Sequence, residues 1–415
     1  MRMFPIPALV PVLAVLLAAT VPPPGARGGA PHRPFWTQAW GAAVQPPVAG
    51  TEDTGPNWSV DGFADQTVRQ VVRLSTGGGA VRVELSNRYG RAPLRVAAAT
   101  VGLSAGGAAV RPGTLRPLRW SGPVPPGRTG ASDPVALPVV PGDELVVTLR
   151  FAGPTGPATF HRFTTATSYR AAGDHVADPG GAAFTGSTAS WYYLTGVDVT
   201  GSPDTIVAVG DSVTDGVGSS PGDHRYTDDL AARLAAAGRP RGVADAGIAG
   251  GKLLNDSTCY GERGTARFRR DVLDRPGVRA VVLELGLNDL GAPQQVGDPC
   301  ALPAPLVGAE RIIAAYQELI GAAHARGIAV VGATMIPIKG ALFPFYSPRA
   351  ARVRQQVNHW IRTGGAFDAV ADFDRAMADP ADPEQSRRDL VSVDGAHPND
   401  AGYRALAATF DLDRW

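Results

Sequence analysis

Four short stretches in the second half of the chain carry residue types that could make and break an acyl bond. The first is Gly210-Asp211-Ser212-Val213-Thr214-Asp215-Gly216, a serine held in a glycine-bounded turn. The second is Asp245-Ala246-Gly247-Ile248-Ala249-Gly250-Gly251, whose glycines let a backbone N–H face a ligand with no Cβ in the way. It comes near a phosphate-binding loop at Gly251-Lys252 but fails it, because Ala246 and Leu253 stand where glycine and serine or threonine are needed. The third is Gly286-Leu287-Asn288-Asp289, where the Asn288 amide could donate to a developing oxyanion or cap a helix. The fourth is Asp394-Gly395-Ala396-His397-Pro398. One short loop can hold both side chains there, the carboxylate fixing the imidazole tautomer and leaving the other ring nitrogen free as a base. Singly, each stretch is more simply a turn, a cap or a coincidence. Together they hold the parts acyl transfer needs: a nucleophile, oxyanion donors, a general base and its orienter.

The elements around them put all four on one edge. From Asp204 onward, apolar runs at 205–209, 242–244, 278–285 and 328–333 show no alternation, as expected of strands covered on both faces. Helical stretches at 226–237, 307–326 and 348–362 separate them. This alternation predicts a parallel sheet with helices on both faces, and α/β proteins of that kind place ligands at the carboxyl edge. Each of the four stretches lies just after a strand or before the last helix.

With those residues in view, roughly 204–412 resembles the GDSL, or SGNH, hydrolase superfamily, whose four blocks supply the letters S, G, N and H. The resemblance implies a flavodoxin-like three-layer α/β/α sandwich. It implies Ser212 as nucleophile, His397 as base and Asp394 as its orienter, with an oxyanion hole from the N–H groups of Ser212 and Gly250 and the side chain of Asn288. Gly247 and Gly251 flank Gly250 and compete for that role. Val213 stands where the name-giving leucine would be, and Asp245 where related sequences often have asparagine. No cofactor or metal is implied, and no cluster of ligand-type side chains surrounds either cysteine.

Ahead of the hydrolase part, 36–199 reads as β. Stretches 66–75 and 80–86 look like strands joined through Thr76-Gly77-Gly78-Gly79, a hairpin signal, and 144–151 and 191–199 are further candidates. Many short strands with Gly/Pro punctuation predict a β-sandwich or jelly roll. The expected division is a signal peptide over 1–30, a β-domain over 31–200 and the hydrolase domain over 201–415. The signal reading rests on Arg2, the short apolar run 12–19 and the Pro22-Pro23-Pro24 break. Eight apolar residues fall well short of the ~20 that span a bilayer. An exported chain can pair Cys259 with Cys300. The layout also resembles secreted actinobacterial hydrolases with a leading β-domain, and some carbohydrate esterases.

Charge excludes one class of partner: Lys+Arg 39 against Asp+Glu 38 gives a formal net charge of +1, with no basic run to serve a nucleic acid. His161, His175, His224, His324 and His359 read as surface or capping residues. Trp36, Trp40 and Trp191-Tyr192-Tyr193 read as β-domain core before a sugar platform. Glu284, in an apolar strand, suggests an ion pair at the strand's end. The stretch 336–348 is unusually apolar for a loop, so Leu342, Phe343, Phe345 and Tyr346 should cover something apolar, with Phe343 and Phe345 as candidate acyl-pocket residues. The expectation is a secreted serine esterase acting on small or polysaccharide-linked esters of short acyl chains, with possible glycan or cell-wall contact through the β-domain. A carbohydrate O-deacetylase, a lipase or phospholipase, and a glycan-binding protein with a vestigial hydrolase are the rivals.

Overall fold

In the computed structural model, the sheet of the second half runs Gly242–Gly247, Thr205–Gly210, Val278–Glu284, Ala329–Ala333, Ala369–Ala371, every neighbouring pair parallel. Numbered along the chain this is the order 2-1-3-4-5. The order reverses beside the first strand, opening a crevice at the carboxyl ends of the first and third strands. Their buried runs of Val, Ile and Leu explain the missing alternation: helices cover both faces. Helix Ala309–His324 turns Ile312, Ala315, Tyr316, Leu319, Ile320 and Ala323 inward at helical spacing and stops before Gly327, whose φ of +67° suits a helix end. Helix Pro348–Thr363 opens with proline in its first turn and with the Ser347 side chain accepting from the Ala350 N–H. The fifth strand, three residues long, was not anticipated from the sequence.

The structure describes residues 35–51, 55–201 and 204–414, together with Met1. The expected signal segment 1–30 lies, beyond Met1, outside the described residues. Among the described residues no helix is long and apolar enough to cross a membrane.

Among the described residues the first half forms two large antiparallel sheets and a two-stranded one, Phe160–His161 with Trp191–Tyr192. One large sheet holds Trp36–Gly41, Leu194–Thr200 and Gly78–Ser86, the last also pairing with Thr129–Ala131 and Val135–Val139. The other is built on Gln66–Arg73, Glu144–Phe151 and Ala98–Gly106, with Ser168–Ala172 and shorter strands at its ends. Val81, Val83 and Leu85 of the first sheet share one core with Val68, Val72, Leu145, Val147 and Leu149 of the second. Trp40, Trp191, Tyr192 and Tyr193 are buried in that core, as read from the sequence.

The hairpin expected at 76–79 is not there. Gln66–Arg73 and Gly78–Ser86 belong to different sheets, and the glycines serve a crossing between them. A Cβ on Gly77 would stand 2.4 Å from the Val139 carbonyl oxygen, and one on Gly78 2.3 Å from that of Thr200. The glycines mark close backbone approach here, not a two-strand turn.

From Phe35 onward the chain gathers into one compact unit. The outer parallel strand runs against Trp36–Gly41, so tightly that a Cβ on Gly242 would meet the Gln38 carbonyl oxygen at 2.3 Å. The Gln38 N–H donates to the Thr205 hydroxyl (3.0 Å) and the Val243 N–H to the Ser75 hydroxyl (2.8 Å). Ala43, from the first half, is part of the α/β core.

Candidate active site

The first strand ends at Gly210, where a Cβ would come within 1.8 Å of the Thr214 hydroxyl oxygen. The chain then turns into a one-turn helix, Ser212–Asp215, capped by the Asp211 carboxylate on the Val213 N–H (3.1 Å) and closed by Gly216 at φ +99°. Glu284 lies beneath it. One Glu284 oxygen accepts from the Asp211 N–H (3.2 Å) and from the Thr214 hydroxyl (3.0 Å). Glu284 therefore braces the serine turn, and the ion pair suggested by the sequence is absent among the described residues. Burial pushes the Asp211 carboxyl up to about 6, and burial and then Asp211 raise Glu284 well above the carboxylate range.

The last loop reaches over this turn. Asn399 secures its end, donating to the carbonyls of Asp389 and Val391 and capping helix Asp400–Ala408 through the N–H groups of Ala401 and Gly402. One Asp394 oxygen accepts from the Ser392 hydroxyl and the N–H groups of Ala396 and His397, at 2.8–3.0 Å. The other faces His397 Nδ1 at 2.5 Å, and His397 Nε2 faces Ser212 Oγ at 2.8 Å. Burial alone would raise Asp394, but the His397 contact and these donors hold it well below the usual carboxylate range. An ionised acceptor there keeps the proton on Nδ1 and leaves Nε2 able to take one from the serine hydroxyl.

The second and third loops meet beside Ser212. The second strand runs on through Asp245 and Gly247, so its loop begins at Ile248, later than the sequence suggested. The N–H groups of Gly247 and Gly251 turn back to Asp245 (2.8 Å) and Ile248 (2.8 Å), whereas Gly250 lines the cavity. Gly250 has φ +77°, and the Tyr260 ring packs where a Cβ would stand, 2.5 Å from it. No other residue type fits. Asn288 Nδ2 donates to the Gly251 carbonyl at 3.1 Å, which leaves the amide a second N–H. The next residue ties the two loops together: Asp289 accepts from the N–H groups of Leu253 (2.6 Å) and Leu254 (3.0 Å). Burial raises Asp289 to about 6 against those contacts.

Ser212, Gly250, Asn288, Asp394 and His397 thus surround one cavity of about 550 Å³. One wall comes from Ile336, Pro337, Ile338, Phe343 and Phe345. Phe345 is buried with its ring against Gly291, and Phe343 lies between Phe345 and the His397 ring, with centroids at 5.5 and 6.1 Å. Leu342 departs from expectation, 79% exposed, and Tyr346 donates its hydroxyl to Glu384. Cys259 and Cys300 are bonded and hold the loop that presents Tyr260.

The sequence reading missed the opposite wall, made by Arg162 and Phe163 of the β-rich half and by Tyr260. The Arg162 guanidinium lies 5.8 Å from the Tyr260 ring. Adjacency to Cys259 was the one local signal for Tyr260; nothing local marked the other two. His161 was also misread: it is 2% exposed and bonds Asp215.

Residues 208–405 match the GDSL-like Lipase/Acylhydrolase family. Solved structures similar to the chain include a variant of an acetyl xylan esterase from Geobacillus stearothermophilus, at 20% identity and TM-score 0.37, covering 51% of this chain and 94% of that one. A lipase/acylhydrolase from Enterococcus faecalis matches at 19% identity and TM-score 0.37, covering 50% and 92%. A GDSL-like lipase from Bacteroides thetaiotaomicron matches at 18% and 0.36, covering 50% and 85%. Among curated protein sequences no match was found.

Proposed function

Residues 208–405 form a GDSL-like lipase/acylhydrolase domain, and from that premise we propose that this protein is a serine esterase cleaving carboxylic esters of short acyl chains. Ser212 Oγ attacks the ester carbonyl while His397 Nε2 takes its proton. The tetrahedral oxyanion is held by the N–H groups of Ser212 and Gly250 and by the free N–H of Asn288. His397 returns the proton to the leaving alcohol, and water, activated by the same imidazole, releases the acid. Asp394 stays ionised and stabilises the imidazolium.

One observation carries this reading: the Asp394–His397–Ser212 chain, at 2.5 and 2.8 Å, opens on a cavity that Gly250 and Asn288 also line. An acyl site for short chains is supported by Phe343 and Phe345, which are anchored against Gly291 and the His397 loop instead of standing free as a lid. Export is supported by the short apolar run 12–19 and by a disulfide, which suits an oxidising compartment.

The test is a panel of acetyl, butyryl and long-chain aryl esters beside acetylated glycans, triglycerides and phospholipids. Ser212→Ala and His397→Ala should remove nearly all turnover with the fold intact, and Asn288→Ala should lower it by roughly 10²–10³, the scale of one oxyanion donor. Phe343→Ala and Phe345→Ala should each shift chain-length selectivity by ~1–3 kcal/mol. Wild-type-like turnover in Ser212→Ala sinks the mechanism. Preference for acetylated glycans identifies a carbohydrate deacetylase; preference for long acyl chains overturns the short-chain reading.

A further inference from the structure

The oxyanion loop is tied to the β-rich half through a buried pair that the mechanism above does not use. His161 sits in strand Phe160–His161 of the first half, and Asp215 closes the one-turn helix that begins at Ser212. Both are about 2% exposed. His161 Nδ1 faces the Ala43 carbonyl oxygen at 2.9 Å, and Nε2 faces Asp215 Oδ1 at 2.9 Å. A carbonyl and a carboxylate only accept, so the ring carries a proton on both nitrogens and pairs with Asp215 as an imidazolium. Burial opposes that charge, but Asp215 outweighs it and the histidine is shifted upward.

The second Asp215 oxygen is also engaged. Oδ2 accepts from the Ala249 N–H at 2.7 Å, one residue before Gly250. Asp215 thereby grips the helix that presents Ser212 on one side and the loop that presents Gly250 on the other. A buried ion pair gains little over well-packed apolar residues, so stability alone is a weak reason for one here. Orientation is a stronger reason, because an amide displaced by about 1 Å can lower turnover by ~10².

Resting on the esterase reading, we propose that His161 is a positioning residue for ester hydrolysis, holding the Gly250 N–H in register with Ser212 through Asp215 and Ala249. The β-rich half is then part of the catalytic apparatus. The same segment continues into Arg162 and Phe163, which line the cavity.

The experiment compares His161→Leu, which removes the donor, with His161→Gln, whose amide can place an N–H where Nε2 stands. His161→Leu should lower kcat by ~10–10² and leave KM within about threefold, as for an interaction made only in the transition state. The rate of inactivation by a fluorophosphonate, whose phosphoryl oxygen gains negative charge as the serine attacks phosphorus and fluoride leaves, should fall by the same factor. His161→Gln should restore most of both losses. A merely structural histidine would lower melting temperature without this joint loss, so a folded His161→Leu protein with wild-type kcat and inactivation rate overturns the proposal. Should His161→Leu not fold, His161→Asn takes its place, keeping a donor to Ala43 but not to Asp215; equal kcat in the Asn and Gln variants then overturns it. An inactive wild type instead brings down the esterase reading itself, which separates the two failures.

Discussion

A buried arginine of the β-rich half and the buried carboxyls beside Ser212 and Asn288 meet opposite backbone groups. In the β-rich half the fully buried Arg69 donates to the carbonyls of Ala108 (2.6 Å), Gly180 (2.5 Å), His175 (3.3 Å) and Asp178, with its guanidinium 4.1 Å from the Phe184 ring. Beside the loops that carry Ser212, Gly250 and Asn288 in the α/β half, several of the buried groups are carboxyls. Asp211, Asp245, Glu284 and Asp289 accept from the N–H groups of Val213, Gly247, Asp211, Leu253 and Leu254. The α/β half buries cations too: Arg267, Arg354 and Arg225 are paired with Asp271, Asp374 and Asp228, and Lys252 donates to the carbonyls of Ala301 and Pro303. The difference follows from the backbone. Beside Ser212 and Asn288 the N–H groups of Val213, Gly247, Leu253 and Leu254 turn inward and call for acceptors. The turn at Ala108 and the loop 175–180 turn carbonyls inward, and these call for a multiple donor. At both places the buried side chain answers the backbone groups that face it.

The largest expected effect breaks the β side of that contrast. Arg69→Met keeps the apolar stem and removes the donors, leaving the carbonyls of Ala108, Gly180 and Asp178 unmatched while that of His175 keeps the Asp178 N–H. Each buried acceptor left without a donor costs about 1–3 kcal/mol. Urea unfolding should show the loss summed over those carbonyls, while the kcat of the folded protein stays at the wild-type value. Unchanged stability would mean that water serves those carbonyls equally well.

Asp289→Ala is the counterpart at the carboxyl edge of the parallel sheet and should do less to stability and more to turnover. Two N–H groups lose their acceptor, each at a cost of about 1–3 kcal/mol. The loops carrying Gly250 and Asn288 also lose their tie, and a shift of even part of an ångström should lower kcat by ~10–10². A stability loss matching that of Arg69→Met, with kcat intact, would erase the distinction between the halves.

What the sequence made legible divides along the same line. Ser212, Gly250, Asn288, Asp394 and His397 each lie in a loop whose neighbouring element shows in local pattern, so their shared edge followed from the alternation of apolar runs and helices. Strand Ala369–Ala371 is too short to leave such a pattern. Arg162, Phe163 and His161 reach the site only because Phe160–His161 pairs with Trp191–Tyr192, a contact between distant parts of the chain that no local spacing announces. The glycines at 77–79 were misread for a related reason: a hairpin turn and a close crossing between sheets need the same residue. Glu284 was visible as an anomaly, yet its partners, Asp211 and Thr214, belong to another strand's loop.

The smallest expected effect asks whether the buried carboxyls act as charges at all. Burial raises Asp211, Asp245 and Asp289, and Asp198 in the β-rich half, each to about 6. Unfolded aspartate titrates near ~3.9. Between about 4 and 6 the folded protein therefore holds protons that the unfolded chain releases, so stability declines as pH rises through that window. Asp394 and Asp271 are depressed instead; their contribution is present above about 4 and is lost only as pH falls through their folded values. The melting temperature should accordingly be higher at pH 5 than at pH 7. Glu284, raised well above the carboxylate range by burial and then by Asp211, adds to that decline. Glu284→Gln keeps an oxygen for the Asp211 N–H and the Thr214 hydroxyl while removing the proton that can be lost. Its stability at pH 7 should lie within about 1 kcal/mol of wild type, and its melting temperature should fall less than that of wild type as pH rises. If the variant falls in parallel with wild type, Glu284 is ionised in the folded protein and the turn beneath Ser212 rests on a buried charge after all.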